Sequence, residues 1–186
     1  HAVKHHPDRI RAIHHEYAHA GATVHTTATF RTRRETIGAE WVALTESATA
    51  MARSACGPRC VVAGSIAPLA DCYRPDLSPP DPTPHHRRLA EALHRAKVDL
   101  LLVETFPHVG EALAAVDAAR ETGLPVWVSF TAGPSANLLD PIALRDGAQA
   151  AVEVCIERDV PWVLDPVGGG LLSYRTGVIK SLLEMG

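Results

Sequence analysis

The apolar positions of this chain switch repeatedly between a helical period and short unbroken runs, and each switch marks a new element. After Pro7, the residues Ile10, Ile13, Tyr17 and Ala20 recur three and four apart, which predicts a helix that Gly21 stops. Ala22 to Phe30 is rich in Thr and Val and reads as a strand. Arg31 to Glu35 form a charged loop, and Glu40 to Ala55 return to a helix with Trp41, Leu44, Ala48 and Met51 inward. Cys60 to Ile66 is a second strand, where Gly64-Ser65 would let the backbone approach a ligand closely. His85 to Ala96 is helical, with Leu89, Ala92, Leu93 and Ala96 on one face. Strands follow at 98–104, at Pro125 to Thr131 and at Trp162 to Asp165. Between and after them lie helices at Val109 to Thr122 (Leu113, Val116 and Ala119 inward), Pro141 to Glu157 and Thr176 to Met185.

Five strands alternating with helices predict a parallel β/α architecture in a single domain over residues 1–186. Five units can form an open doubly wound sheet, whereas an eight-stranded barrel typically needs about 250 residues. Ala67 to Pro84 breaks the rhythm. It holds Pro68, Pro75, Pro79, Pro80, Pro82 and Pro84 without periodicity, and β/α units continue on both sides. It therefore reads as an excursion over a site and not as a linker.

Composition narrows the class. A net charge of -3 leaves no basic footprint for nucleic acid. No apolar run approaches the roughly 18 residues of a membrane span, and His1 to Pro7 lack an apolar signal region, so a cytoplasmic protein is expected. Cys56 and Cys60 flank Gly57-Pro58-Arg59 at a spacing that could suit a metal, but no second close pair accompanies them. With Cys72 and Cys155 they read as buried or incidental thiols in a reducing compartment. The eleven histidines, several in adjacent pairs, read as mostly surface residues.

The candidate chemistry collects at the C-terminal ends of the strands, where β/α proteins bind ligands. These ends offer Thr27, Thr29, Ser65, Glu104, Thr105, Ser129, Thr131 and Asp165. Glu104 closes the apolar run Val98-Asp99-Leu100-Leu101-Leu102-Val103 and stands out as the residue to mutate first; the alternative is a merely solvated strand-end carboxylate. Neutral hydroxyls with carboxylates suit a small zwitterion, with Glu104 for an ammonium and hydroxyls and backbone N–H groups for a carboxylate. No Ser-His-Asp or Cys-His arrangement stands at these ends, and no P-loop pattern occurs. Gly168-Gly169-Gly170 follows the fifth strand, where its amides could cradle an anion or simply form a flexible turn.

Four motifs in order then resemble the homocysteine S-methyltransferase family: Tyr17 to Ala22 with Thr26 to Phe30, Val62 to Pro68 with Asp71 to Leu77, Asp99 to Thr105 with Glu111-Ala112, and Gly123 to Thr131. The resemblance covers about residues 7–150. It implies a (β/α)8 TIM barrel that transfers a methyl group from S-methylmethionine, a betaine or a related donor to homocysteine, giving methionine, with a zinc ion on three cysteines holding the homocysteine thiolate. On it, Glu104 matches the glutamate that grips the homocysteine ammonium, and Thr27, Phe30, Ser65, Ser129 and Thr131 match strand ends lining the pocket. The family's first strand with its Asp-Gly-Gly-type motif and its late paired-cysteine motif have no counterpart, so these strands look like the second to sixth of an incomplete barrel. No zinc triad can be built from the four cysteines. Three further expectations follow. A partial barrel could be a catalytically silent binding or assembly module; its open strand edges would invite pairing with a second copy; and a small amino acid would be its substrate. The segment Trp162 to Gly170 with Tyr174-Arg175-Thr176 resembles hydroxyethylthiazole kinases, which implies a kinase-like alternative resting on about residues 160–186 alone.

Overall fold

A strand with helices packed against its sheet is buried along its length, and β2 meets that condition from Val62 onward in a computed structural model of the chain, which describes residues 2–57, 60–131, 149, 150, 152, 153, 156, 157 and 184. The elements run α1 (Ala2–His5), α2 (Pro7–His19), β1 (Val24–Thr26), α3 (Arg34–Ile37), a 3-10 turn (Gly38–Glu40), α4 (Trp41–Ala55), β2 (Val61–Ile66), a second 3-10 turn (Pro75–Leu77), α5 (Thr83–Arg95), β3 (Leu100–Phe106), α6 (Val109–Arg120) and β4 (Val126–Phe130). The four strands form one parallel sheet in the order β1-β2-β3-β4. Every strand lies beside its successor, so the described sheet has no switch point of the doubly wound kind; consecutive strands of a β/α barrel have this order.

The register pairs Gly64 with Leu101 and Ser65 with Leu102. Because side chains alternate along a strand, one face of β2 carries Val62, Gly64 and Ile66 and the other carries Val61, Ala63 and Ser65. Val62, Ile66, Leu101, Val103 and Phe106 pack against Ala52, Leu89, Ala90, Leu93, Ala112, Ala115 and Ala119 of the helices. Each large side chain fully buried there contributes about 1.5–3 kcal/mol. The other face turns its polar strand ends away from this core.

Several boundaries differ from the sequence reading, each for a physical reason. The first strand is Val24–Thr26 and not Ala22 to Phe30, because beyond the Thr27 N–H on the Ala63 carbonyl the ladder gives way to Thr27 and Thr29 hydroxyls that bond each other and the Ser65 backbone. In α2, Ile13 and Tyr17 are exposed, and the inward stripe is Ile10 with buried His14. In α6, Leu113 is exposed; the buried face is Glu111, Ala112, Ala115, Ala118 and Ala119. Gly64 serves packing and not ligand approach, since a Cβ there would lie 3.1 Å from Val98 and 3.2 Å from Leu93 and Leu101. The charged loop carries α3, and the Pro-rich excursion contains the 3-10 turn Pro75–Leu77. The expected fifth strand, the glycine run after it, most of the helix at Pro141 to Glu157 and the closing helix apart from residue 184 lie outside the described residues. Among the described residues no helix is long and apolar enough to cross a membrane.

Candidate binding site at the strand ends

The end of β3 is irregular, and the irregularity shapes the site. Its pairing with β4 shifts between Val103 and Phe106, and Thr105 sits at φ 59°, a left-handed conformation that costs a β-branched residue energy. Such a bulge re-aims side chains at a strand end. Val103 and Phe106 thereby both reach the core, while Glu104 is left half-buried on the opposite side. Two bonds fix the bulge: the Thr105 N–H donates to Ser129 Oγ at 3.2 Å, and Thr105 Oγ1 donates to the Glu104 carbonyl at 2.7 Å.

Ser65, fully buried at the end of β2, donates its hydroxyl to Glu104 Oε1 at 2.5 Å. Its backbone is held in turn. Thr27 Oγ1 accepts from the Ser65 N–H at 3.0 Å, Thr29 Oγ1 donates to the Ser65 carbonyl at 2.8 Å, and the two threonine hydroxyls lie 2.7 Å apart. Behind them, Thr32 Oγ1 donates to the Thr29 carbonyl and accepts from Thr45 Oγ1. The structure thus joins Thr27, Ser65, Glu104, Thr105 and Ser129 in one hydrogen-bonded line across four strand ends. Thr27 and Thr29 spend their hydroxyls on Ser65. Glu104 Oε1 is taken by Ser65, and Oε2 takes no hydrogen bond from the described residues. Thr131 is half-buried and joins the line only through its backbone, donating to the Phe106 carbonyl at 3.1 Å. Phe30 stands apart, with the Arg31 guanidinium 5.0 Å above its ring. Asp165 lies outside the described residues.

Sequence reasoning missed the polar group that holds the loop after β2. Arg33 is buried and donates to the Pro68 carbonyl at 2.7 Å and to the Leu69 carbonyl; Arg31 reaches the Ala70 carbonyl at 3.0 Å. Glu111 Oε1 accepts from the Leu69 N–H at 2.7 Å and lies 3.2 Å from His86 Nε2. Burial alone would raise the Glu111 carboxyl, but bonds from His86, Ser78 and the Leu69 N–H outweigh it and hold the group below its ordinary range. Burial, with Arg31 nearby, lowers the Arg33 guanidinium. One signal could have found Glu111: in the correct helical phase it shares the inward face of alanines, and a Glu on such a face needs partners.

The histidines and cysteines also depart from expectation. His14, His25 and His86 are buried, because each fills a gap between a strand or helix and its neighbour and spends a ring nitrogen on another side chain. Cys56 and Cys60 are joined as a disulfide, with Cα atoms 5.1 Å apart, instead of standing as thiols; Cys72 is the free cysteine among the described residues. A three-thiolate zinc set at the strand ends would need sulfurs that the described residues do not place there, and Cys155 lies outside them. Among the described residues, the side chains around Glu104 are hydroxyls and carboxylate, which do not make a thiolate set for that ion.

Comparison with known proteins follows the same line. The sequence model of the family described as homocysteine S-methyltransferase matches residues 1–164. S-methylmethionine–homocysteine S-methyltransferase BHMT2 of Mus musculus is 34% identical over 140 residues, covering 75% of this chain and 38% of that protein. Betaine–homocysteine S-methyltransferase 1 of Sus scrofa is 29% identical over 147 residues, covering 74% of this chain and 52% of that protein. The homocysteine methyltransferase MmuM of Escherichia coli, in its metallated form, superposes with a TM-score of 0.68 at 26% identity, over 84% of this chain and 61% of that one. Such structures are TIM-barrel proteins, in keeping with the parallel β/α architecture read from the sequence. This chain spans between about a third and two thirds of the length of the relatives it matches. The kinase-like resemblance has no counterpart in these matches, and its residues lie outside the described ones.

Proposed function

The chain belongs to the homocysteine S-methyltransferase family, and from that premise we propose that its strand ends bind homocysteine for methylation at sulfur. One observation carries the reading: a half-buried carboxylate, Glu104, set on a bulge, with Oε1 taken by Ser65 and Oε2 open among the described residues. A carboxylate so held is pre-organised to accept charge-assisted hydrogen bonds from an α-ammonium. Thr27 and Thr29 fix the Ser65 backbone, and Ser129 fixes the bulge, so these hydroxyls orient the acceptor and do not meet the substrate themselves.

The transfer itself is a displacement at a methyl carbon. The homocysteine sulfur forms the new C–S bond, its proton leaves to solvent, and the donor's onium–carbon bond breaks with its electron pair staying on the donor. The two vertebrate relatives carry S-methylmethionine and betaine in their names, a sulfonium and a quaternary ammonium. Both are onium methyl donors, and that is the donor class proposed here. The scaffold's part in the step is to orient the acceptor amino acid.

Calorimetric titration with L-homocysteine tests the binding step. Glu104→Gln should weaken affinity at least about tenfold, since a hydrogen bond to a charged group is worth about 1.5–3 kcal/mol. Equal affinity in both proteins would remove Glu104 from the reading. Methionine formation from S-methylmethionine or betaine tests the chemistry separately. Binding without turnover would favour the second reading, a binding module, which the lack of a strand-end thiol among the described residues supports.

A further inference from the structure

Away from the strand ends, a second group of side chains converges at the opposite end of the sheet. His25 lies in the middle of β1 and points away from Val24 and Thr26; it is only 3% exposed. Cys56 caps the C-terminus of α4, and Cys60 comes immediately before β2. A ring nitrogen of His25 and the two sulfurs all lie within 4.8 Å of one another. The imidazole has one committed and one open nitrogen. Nδ1 faces His14 Nδ1 of α2 at 3.3 Å, whereas Nε2 is buried with no hydrogen-bond partner among the described residues. A buried polar atom of this kind destabilises the fold unless something binds it.

We propose that His25, Cys56 and Cys60 form a soft divalent-metal site of the zinc type in the reduced protein, which the Cys56–Cys60 disulfide closes in the oxidised one. Two thiolates and an imidazole are a donor set suited to zinc, and a four-residue step between the cysteines falls within the spacing of zinc-binding pairs. The Cα separation of 5.1 Å lets both sulfurs reach one centre. His14 plays the outer role: by accepting the Nδ1 proton of His25 it would leave the Nε2 lone pair for the metal. Cys56 and Cys60 are half-buried, so a fourth position can be filled from solvent. The site is separate from Glu104. Cys60 and Ser65 are five residues apart along β2, about 16 Å of extended chain, and His25 faces the helices. Its existence does not depend on the homocysteine reading.

The chemistry balances simply. A dithiol or phosphine reductant gives two electrons to the disulfide, which with two protons becomes two thiols; the metal then displaces both thiol protons to solvent as it binds. The test uses the full chain, reduced with a phosphine, stripped with a chelator, and titrated with zinc(II) or cobalt(II) alone. The expected result is one equivalent bound, with cobalt showing thiolate-to-metal charge-transfer absorption. Zinc should protect Cys56 and Cys60 from alkylation while Cys72 stays reactive, as read by peptide mass spectrometry. Cys56→Ser and Cys60→Ser should abolish stoichiometric uptake, Cys72→Ser should not, and His14→Ala should weaken uptake about 10-fold or more, as loss of an outer partner does. The alkylation pattern is read on the unaltered chain, so it decides the matter even if a variant fails to fold. Uptake that leaves Cys56 and Cys60 reactive, or no uptake after reduction, overturns the proposal.

Discussion

Glu111 shows how a single buried carboxylate holds the edge of the candidate site. Its oxygen joins the Leu69 N–H and His86, while Arg33 takes the carbonyls on either side of that N–H. Replacing it with Gln strips the charge from a buried group and weakens the bonds that fix the loop after β2. Glu111→Gln should therefore destabilise the protein by about 1.5–3 kcal/mol, the worth of hydrogen bonds to a charged group. Urea unfolding at pH 7 measures this. The pH dependence has a definite sign. The folded carboxyl sits below its ordinary value of about 4.5, so its stabilisation is present above that pH and is lost as pH falls through the lower folded value. The wild type should lose stability on that acid side more steeply than Glu111→Gln. Parallel acid limbs would contradict the assignment. Gly64 gives a second residue-scale expectation. A Val there would drive its side chain into Val98, Leu93 and Leu101, costing about 1–3 kcal/mol as overpacking, measurable as a fall in Tm.

At the scale of elements, helix ends were more legible than helix faces. Gly21 stops α2 at φ 99°, with its N–H on the Ala18 carbonyl and that of Ala22 on the Tyr17 carbonyl, which is the glycine ending the sequence predicts. Lys97 ends α5 in the same way, its N–H on the His94 carbonyl and that of Val98 on the Leu93 carbonyl, but at φ 66° without a glycine, so no residue announced it. Lys97→Gly should accordingly raise stability by about 1 kcal/mol, the cost of a left-handed L-residue, and thermal melting checks it; an unchanged or lowered Tm would show that the turn is not strained. The faces of α2 and α6 were read only in part: Ile10, Val116 and Ala119 do lie inward, but apolar Ile13, Tyr17 and Leu113 lie outside while His14 and Glu111 lie inside. Hydrophobic periodicity cannot see a buried polar residue whose partners come from distant parts of the chain. For the same reason Ser65 and Glu104 were legible as strand ends, but their bond and the threonine relay behind Ser65 were not, since both need the register between strands.

For the whole molecule, a parallel sheet in sequential order brings separate strand ends to one edge and leaves the other edge to different chemistry. The first edge gathers Ser65, Glu104 and Ser129; the second gathers His25, Cys56 and Cys60. Alternating β/α units and the four family motifs made this architecture readable from the chain. Whether Glu104 grips the amino group of homocysteine is decided by affinities for a matched pair of ligands. Wild type and Glu104→Gln would each be titrated with L-homocysteine and with 4-mercaptobutyrate, which keeps the thiol and carboxylate but lacks the α-amino group. Losing the amino group should weaken binding to the wild type at least about tenfold, the worth of one charge-assisted hydrogen bond, and change binding to Glu104→Gln far less. An equal loss in both proteins would contradict that grip.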